Sequence, residues 1–357
     1  MGGEKGGEAM QSPKESCHNC NNKKHNPETY LRIKADAWTM STDPIIPTLA
    51  DIEAAHARIA DYIHRTPVYH SELLDQHSGG ELHFKCENLQ KVGAFKARGA
   101  SNAVLGLDEA EAAAGVATHS SGNHGAALAM AAKRRGIPAH IVMPSNAPAV
   151  KKAAVAAYGA TIIECEPTLL AREQTLAEVL ADTGAHPVPP YDDARIIAGQ
   201  GTVALELLQQ VTELDLVVVP VGGGGLLAGV ALAVKSINPG IEVMAVEPAG
   251  ADDAFRSFGL GTRVEQTAPD TIADGLRASL GVLNFAIIQK YVDTIVTVDD
   301  STIVDAMKLQ WSRLKTVVEP SGAVSYAGVL EYPERFRGRR AGLVISGGNL
   351  DLDKLPW

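Results

Sequence analysis

The stretch Leu214–Val221, LDLVVVPV, is an almost uninterrupted apolar run that leads straight into four glycines, Gly222–Gly225. A run without polar alternation fits a strand covered on both faces, as parallel strands are inside an α/β sheet. Neighbouring segments keep the same rhythm. LLAGVALAVKSI reads as a helix, IEVMAVE (Ile241–Glu247) as the next strand, and AGLVIS (Ala341–Ser346) as one more. Earlier, GVATH (Gly115–His119), AHIVMP (Ala139–Pro144) and TIIECE (Thr161–Glu166) read as strands. Between them lie the helical segments AALAMAAKRRG (Ala126–Gly136) and VKKAAVAAYGA, the latter ended by Gly159. Before all of these, Ile52, Ala55, Ile59 and Ile63 recur at helical spacing. Alternation of this kind predicts an α/β fold with parallel-rich sheets flanked by helices.

At 357 residues there is room for about two domains. Hydrophobic residues at 45% and charged residues at 21% fit a globular chain and exclude a collagenous or wholly disordered one. The net charge of −10, with no basic runs, argues against nucleic-acid or anionic-membrane partners. No apolar run approaches the ~18 residues of a spanning helix, so a soluble protein is expected. Four cysteines are too few for a disulfide scaffold and fit a reducing, cytoplasmic setting.

Residues 1–45 differ from the rest: they are polar, Gly-rich and aperiodic, and a disordered tail is expected. The segment lacks the apolar core of a secretory signal, and its glutamates argue against a transit peptide. Gly2 follows Met1, but Gly6 stands where myristoylation wants Ser or Thr. Cys17 and Cys20 form a CxxC near His18 and His25, short of two full zinc-ligand pairs. Met40 offers an alternative start.

Ligands of open α/β sheets bind beyond the carboxyl ends of strands, so the loops there carry the functional argument. Gly222–Gly225 would let backbone N–H groups reach an anion, with the following helix N-terminus adding its dipole. A tight strand-to-helix turn is the plain alternative. So is a dinucleotide fingerprint, Gly223-x-Gly225-x-x-Ala228, with Glu247 as ribose acid. In KVGAFKARGA (Lys91–Ala100), Lys96 lies between Phe95 and Ala97. An apolar setting favours a neutral amine that can attack an aldehyde. In SSGNHG (Ser120–Gly125), Ser120, Ser121, Asn123 and His124 crowd donors at a helix start, where a carboxylate or a simple N-cap fits. Finally, SGGN (Ser346–Asn349) follows the last strand, where the Ser346 hydroxyl can meet a ring nitrogen.

Together and in this order, the four loops resemble those of the fold type II pyridoxal-phosphate enzymes, in particular the serine/threonine dehydratase and serine racemase family. The resemblance runs from about Pro47 to Asp351. It implies a two-domain enzyme. A small domain (115–190) interrupts a larger cofactor-binding one (46–114 and 191–357), and the enzyme forms a homodimer acting on a small amino acid. It implies that Lys96 binds the cofactor aldehyde as an internal aldimine and that Phe95 packs near the ring. Gly222, Gly223, Gly224, Gly225 and Leu226 would hold the phosphate, Asn123 the ring 3′-oxygen and Ser346 the ring nitrogen. Ser120, Ser121, His124 and Arg172 would receive the substrate carboxylate. Freed Lys96 would take the α-proton. A neutral partner at the ring nitrogen favours prompt loss of a β-hydroxyl, assisted by the cofactor phosphate, and the products are a 2-oxo acid and ammonia.

Within the resemblance, Ser121 stands where serine racemases and hydroxyaspartate dehydratases carry Ser and many threonine dehydratases carry Ala. A hydroxyl opposite Lys96 would allow racemisation. EPAGADD matches the family's metal loop, with Glu247, the Ala251 carbonyl and Asp253 as oxygen ligands for Mg²⁺, or for Ca²⁺ or Mn²⁺. Helix-capping acids are the alternative there. Ala94 and Tyr191 depart from the racemase pattern, which has Ser and Asn at those positions, and fit a dehydratase of another β-hydroxy amino acid such as 3-hydroxyaspartate. No regulatory domain follows Trp357, so no isoleucine feedback through one is expected. The expected function is elimination of water from serine, threonine or 3-hydroxyaspartate. A racemase is the alternative, a non-enzymatic sensor the third reading and a nicotinamide oxidoreductase the fourth.

Overall fold

Ten strands form two sheets in the computed structural model, which describes Gly2 and residues 45–357. The expected tail, its CxxC and Met40 lie outside the described residues, Gly2 and Ile45 apart. The apolar run predicted as a buried strand is strand β7 (Leu216–Pro220), every residue of which is buried. It sits inside a six-stranded sheet with β1 (Val68–His70), β2 (Glu81–Cys86), β8 (Glu242–Pro248), β9 (Thr294–Val298) and β10 (Arg340–Ile345). The spatial order is β1-β2-β10-β7-β8-β9, and only β1 runs antiparallel to its neighbour.

Strand geometry sends successive residues to opposite faces, so a fully apolar strand feeds two cores at once. Val217 and Val219 join one core, under the helices Ala194–Gln210 and Gly225–Ile237. Leu216 and Val218 join the other, under the helices Asp300–Leu314 and Pro320–Glu331. Burial of each such side chain is worth about 1.5–3 kcal/mol, which is why the central strand tolerates no polar residue.

The second sheet has four strands, all parallel: β3 (Val116–His119), β4 (Ala139–Pro144), β5 (Thr161–Cys165) and β6 (His186–Pro187), in the order β5-β4-β3-β6. Its main core also takes in Ala103, Val104, Leu107 and Ala112, so the chain packs there from well before residue 115. Those residues belong to or follow the helix Lys96–Leu105. That helix is pinned from beneath by Arg98, whose guanidinium binds Glu87 at 2.7 and 2.8 Å and Glu206 at 2.8 Å. Lys85 reaches the same Glu206 at 2.6 Å, so two buried cations face two buried carboxylates. Among the described residues no helix is long and apolar enough to cross a membrane.

Candidate active site

Because β2, β10 and β7 lie side by side, the segments leaving their carboxyl ends converge. After β2 the chain runs to Lys96, after β10 to Ser346 and after β7 to Gly222–Gly225. Backbone hydrogen bonds join the first two: Phe95 N donates to Ser346 O at 3.0 Å and Gly348 N to Gly93 O at 3.0 Å. The loop after β3 adds Asn123 from the smaller sheet. One cavity is lined by Phe95, Lys96, Asn123, Gly222–Leu226 and Ser346, the expected cofactor residues.

Lys96 begins its helix, and its Nζ donates to Pro190 O at 2.6 Å and lies 5.1 Å from the Phe95 ring centroid. Burial holds the ammonium well below its usual range, down to about 8. An amine so placed is neutral in a usable fraction near neutral pH, as a nucleophile or base requires.

The glycine loop leaves no room for side chains. A Cβ on Gly223 would stand 2.5 Å from the Tyr191 ring, and one on Gly222 2.7 Å from the Leu276 Cα. Gly224, at φ 92°, occupies the left-handed region and caps the helix Gly225–Ile237. The first N–H groups of that helix lack intrahelical partners, and its dipole favours an anion there. Asn284 fixes the loop from behind: its Nδ2 donates to Gly223 O at 2.7 Å, and Gly281 N donates to the same oxygen at 3.1 Å. The tight strand-to-helix turn is therefore formed by the same residues that the anion-cradle reading uses. Glu247 Oε1 and Oε2 accept from Ala254 N (3.0 Å) and Phe255 N (2.8 Å) at the next helix start.

Ser346 is buried and donates to Ser321 O at 3.3 Å. Ser120 Oγ accepts from Gly125 N at 3.2 Å and Gly122 N at 3.4 Å, which ties the loop to the first turn of the helix Asn123–Arg135. Ser120, Ser121, His124 and Arg172 are not among the residues lining the cavity. His124 faces inward from its helix, its Nε2 paired with Val188 O at 3.1 Å, and burial together with nearby Lys96 pushes it down to about 3. The imidazole is therefore neutral, and its Nδ1 is buried without a partner. Arg172 is half-buried on the helix Leu169–Thr183, its Nε donating to Thr168 O at 3.4 Å.

Tyr191 and Glu319 also line the cavity. Burial pushes the Tyr191 phenol up to about 12, so it stays a neutral group. Glu319 escaped the sequence reading because it sits in a helix-to-helix turn rather than at a strand end. Its one sequence signal was an acid directly before Pro320-Ser321-Gly322.

Glu247 is the penultimate residue of β8, Ala251 lies in the turn Ala249–Ala251, and Asp253 opens the helix Asp253–Leu260. Both carboxylates are fully buried, and burial raises both above the usual carboxylate range. Asp253 Oδ2 accepts from Leu280 N at 2.8 Å, while its Oδ1 is buried without a partner. Among the described residues no group of three or more His, Cys, Asp or Glu gathers around a metal-sized site.

A parallel sheet that brings a half-buried lysine, a glycine loop and a strand-end serine to one cavity has the fold of the fold type II pyridoxal-phosphate enzymes. The chain belongs to the family described as pyridoxal-phosphate dependent enzymes, which matches residues 59–347. It is 53% identical over 312 residues to a β-hydroxyaspartate dehydratase of Paracoccus denitrificans, covering 87% of this chain and 99% of that one. It is 52% identical over 314 residues to a serine racemase of Arabidopsis thaliana, covering 86% and 94%. Among solved structures, maize serine racemase superposes with a TM-score of 0.85 at 49% identity, covering 87% and 95%.

Proposed function

We propose that this protein is a pyridoxal-phosphate-dependent ammonia-lyase that removes water from a β-hydroxy amino acid, with 3-hydroxyaspartate first among serine, threonine and itself. The observation that carries the reading is the Lys96 amine, whose proton burial loosens, in one cavity with Gly222–Leu226 and Ser346. When bound, the pyridine ring supplies an electron sink for charge developing at the substrate Cα. The chain supplies the rest. The Gly222–Gly225 and Leu226 amides would hold the phosphate, Asn123 and Ser346 would meet the two polar edges of the ring, and Phe95 would pack beside it. Lys96, as base, would take the proton from Cα, the C–O bond at Cβ would break, and the departing hydroxide would leave as water with one proton, returned in net terms by Lys96. The dehydrated product then hydrolyses to a 2-oxo acid and ammonia. Ser346 is a neutral hydroxyl and brings no negative charge to the ring nitrogen, so it would not hold that nitrogen strongly protonated as a carboxylate would. That favours elimination over long-lived charge at Cα.

The reading keeps Ser120, Ser121, His124 and Arg172 on the substrate side. They do not line the cavity with Lys96, and their support is the SSGNHG motif at the helix start that carries Asn123. It also keeps the division into a lobe of residues 115–190 and a lobe of 46–114 with 191–357, supported by the membership of the two sheets. A divalent cation held by Glu247, the Ala251 carbonyl and Asp253 is supported by the unpartnered, buried Asp253 Oδ1. Two carboxylates and a carbonyl leave positions for water, as Mg²⁺ prefers. A cytoplasmic homodimer completes the reading, and Cys86 and Cys165 are both free thiols.

Racemisation is the second reading, favoured by Ser121 and by the serine racemase likeness. One experiment separates the two. Purified protein loaded with pyridoxal phosphate is given L-serine, L-threonine and the 3-hydroxyaspartate isomers, and both 2-oxo acid and D-enantiomer are measured. Elimination predicts 2-oxo acid from at least one of them, lost in Lys96→Ala. D-enantiomer without 2-oxo acid would establish the racemase.

A further inference from the structure

One wall of the cavity is a closed set of hydrogen bonds around Asn123. Glu319, 4% exposed, uses its two carboxylate oxygens separately. Oε1 accepts from Asn123 Nδ2 at 2.9 Å, and Oε2 accepts from Asn349 N at 2.9 Å. Asn349 in turn donates its Nδ2 to Asn123 Oδ1 at 3.0 Å. Glu319 N donates to Gly347 O at 3.1 Å, and a Cβ on Gly347 would stand 2.3 Å from Glu319 Oε1. The strand-end loop 346–349, the loop before the helix Asn123–Arg135 and the start of the helix Pro320–Glu331 therefore meet at this one carboxyl group.

A primary amide can sit in two orientations that swap its oxygen and nitrogen, and its hydrogen-bond partners decide between them. Here both ends are specified. The oxygen faces a donor, Asn349, and the nitrogen faces an acceptor, Glu319. An amide nitrogen carries two hydrogens. Glu319 takes one and leaves the second for the cavity that Asn123 lines.

We propose that Glu319 is a positioning residue that locks the Asn123 amide so that an N–H, and not the carbonyl oxygen, is presented to the ring oxygen of the cofactor. This rests on the reading above that Asn123 meets that oxygen. Its consequence is electronic: a ring oxygen that receives an N–H is favoured in its anionic form. Without Glu319 the amide is free to turn and present its own oxygen, which repels that form.

Two opposed demands act on Glu319. Both oxygens serve as acceptors, which suits the ionised carboxylate. Burial and the nearby Asp274 favour the neutral acid, and Lys151 opposes them, leaving the group at about 8. Asp274, on the turn Asp274–Leu276, and Lys151, on the helix Ala149–Ala156, are the charged groups facing it, and they pair with each other at 2.5 Å. Among the described residues no Lys or Arg forms an ion pair with Glu319 itself.

The test uses the full chain with ¹⁵N-labelled asparagine, in cofactor-free and cofactor-loaded form, as wild type, Glu319→Gln and Asn349→Ala. Asn123→Ala assigns the Asn123 side-chain signal. In the cofactor-free protein the Asn123 amide protons should be well separated and should shift as pH crosses about 8. In Glu319→Gln the separation should shrink and the pH dependence should vanish. In the loaded protein, Glu319→Gln should change the ratio of long- to short-wavelength cofactor absorbance at least twofold at pH 8, with melting held within a few degrees. Asn349→Ala should shift the ratio in the same direction, which keeps the test open if Glu319→Gln folds poorly. An unchanged Asn123 signal in Glu319→Gln overturns the inference. So do coincident absorbance profiles of loaded wild type and both variants. A wild type that takes up no pyridoxal phosphate overturns the functional reading instead, and the cofactor-free signals then judge Glu319 alone.

Discussion

The ring of Tyr191 lies against the backbone of Gly223, so close that a single methyl on Gly223 would stand 2.5 Å from ring carbon Cδ1. The cofactor-side glycine loop and the Pro190-Tyr191 turn, which also receives the Lys96 amine, are thus one packed unit. Gly223→Ala should destabilise the protein by about 1–3 kcal/mol, as overpacking does. Tyr191→Ala should remove most of that penalty, so the double variant should be less destabilised than the sum of the singles. Denaturant unfolding of the cofactor-free proteins measures this, and strict additivity would contradict the packing account.

Arg98 is fully buried between Glu87 and Glu206. Arg98→Met would strand two buried carboxylates, with only Lys85 left to face Glu206. Breaking a buried pair in this way costs about 3–5 kcal/mol. Melting temperature should fall sharply, and cofactor uptake should fall with it because the helix carrying Lys96 loses its anchor.

Lys96 carries a stability signature of its own. Its amine sits at about 8 in the folded protein against an ordinary 10.5, so between those values the unfolded chain binds more protons. Its contribution is therefore present above pH 10.5 and is lost as pH falls through about 8. Cofactor-free Lys96→Met should be more stable than wild type at pH 7, and the gap should close as pH rises through that window. Parallel stability curves from pH 7 to 10.5 would contradict the burial of the amine.

Asp253 Oδ1 is the unpartnered atom of the proposed cation site. A chelator should lower the melting temperature of the holoenzyme, and Mg²⁺ should restore it. Asp253→Asn should be insensitive to both. A wild type that ignores the chelator would leave Glu247 as a helix cap alone.

Much of this molecule was legible where the chain is strongly apolar. Ala139–Pro144 was read to the residue, and Leu216–Pro220 and Gly225–Ile237 to within a few, because unbroken apolar runs and glycine stops are local signals. Val68–His70 and the two-residue His186–Pro187 are too short and too polar to carry such a pattern. In the site, Lys96, Asn123, the glycines and Ser346 stood out because each follows a strand or opens a helix. Glu319 did not, since its role comes from partners 196 and 30 residues away in the chain. The burial of His124 was not legible among its polar neighbours, because it follows from the helix that begins at Asn123, which sets its Nε2 against Val188 O.

The most direct test of the account is the product balance on L-threo-3-hydroxyaspartate with the cofactor-loaded enzyme. The account predicts 2-oxo acid and ammonia released in equal amounts, with Lys96→Ala slowed by about 10²–10⁴-fold or more, as loss of a positioned base requires. Undiminished turnover in Lys96→Ala, or substrate consumed with neither product formed, would contradict it.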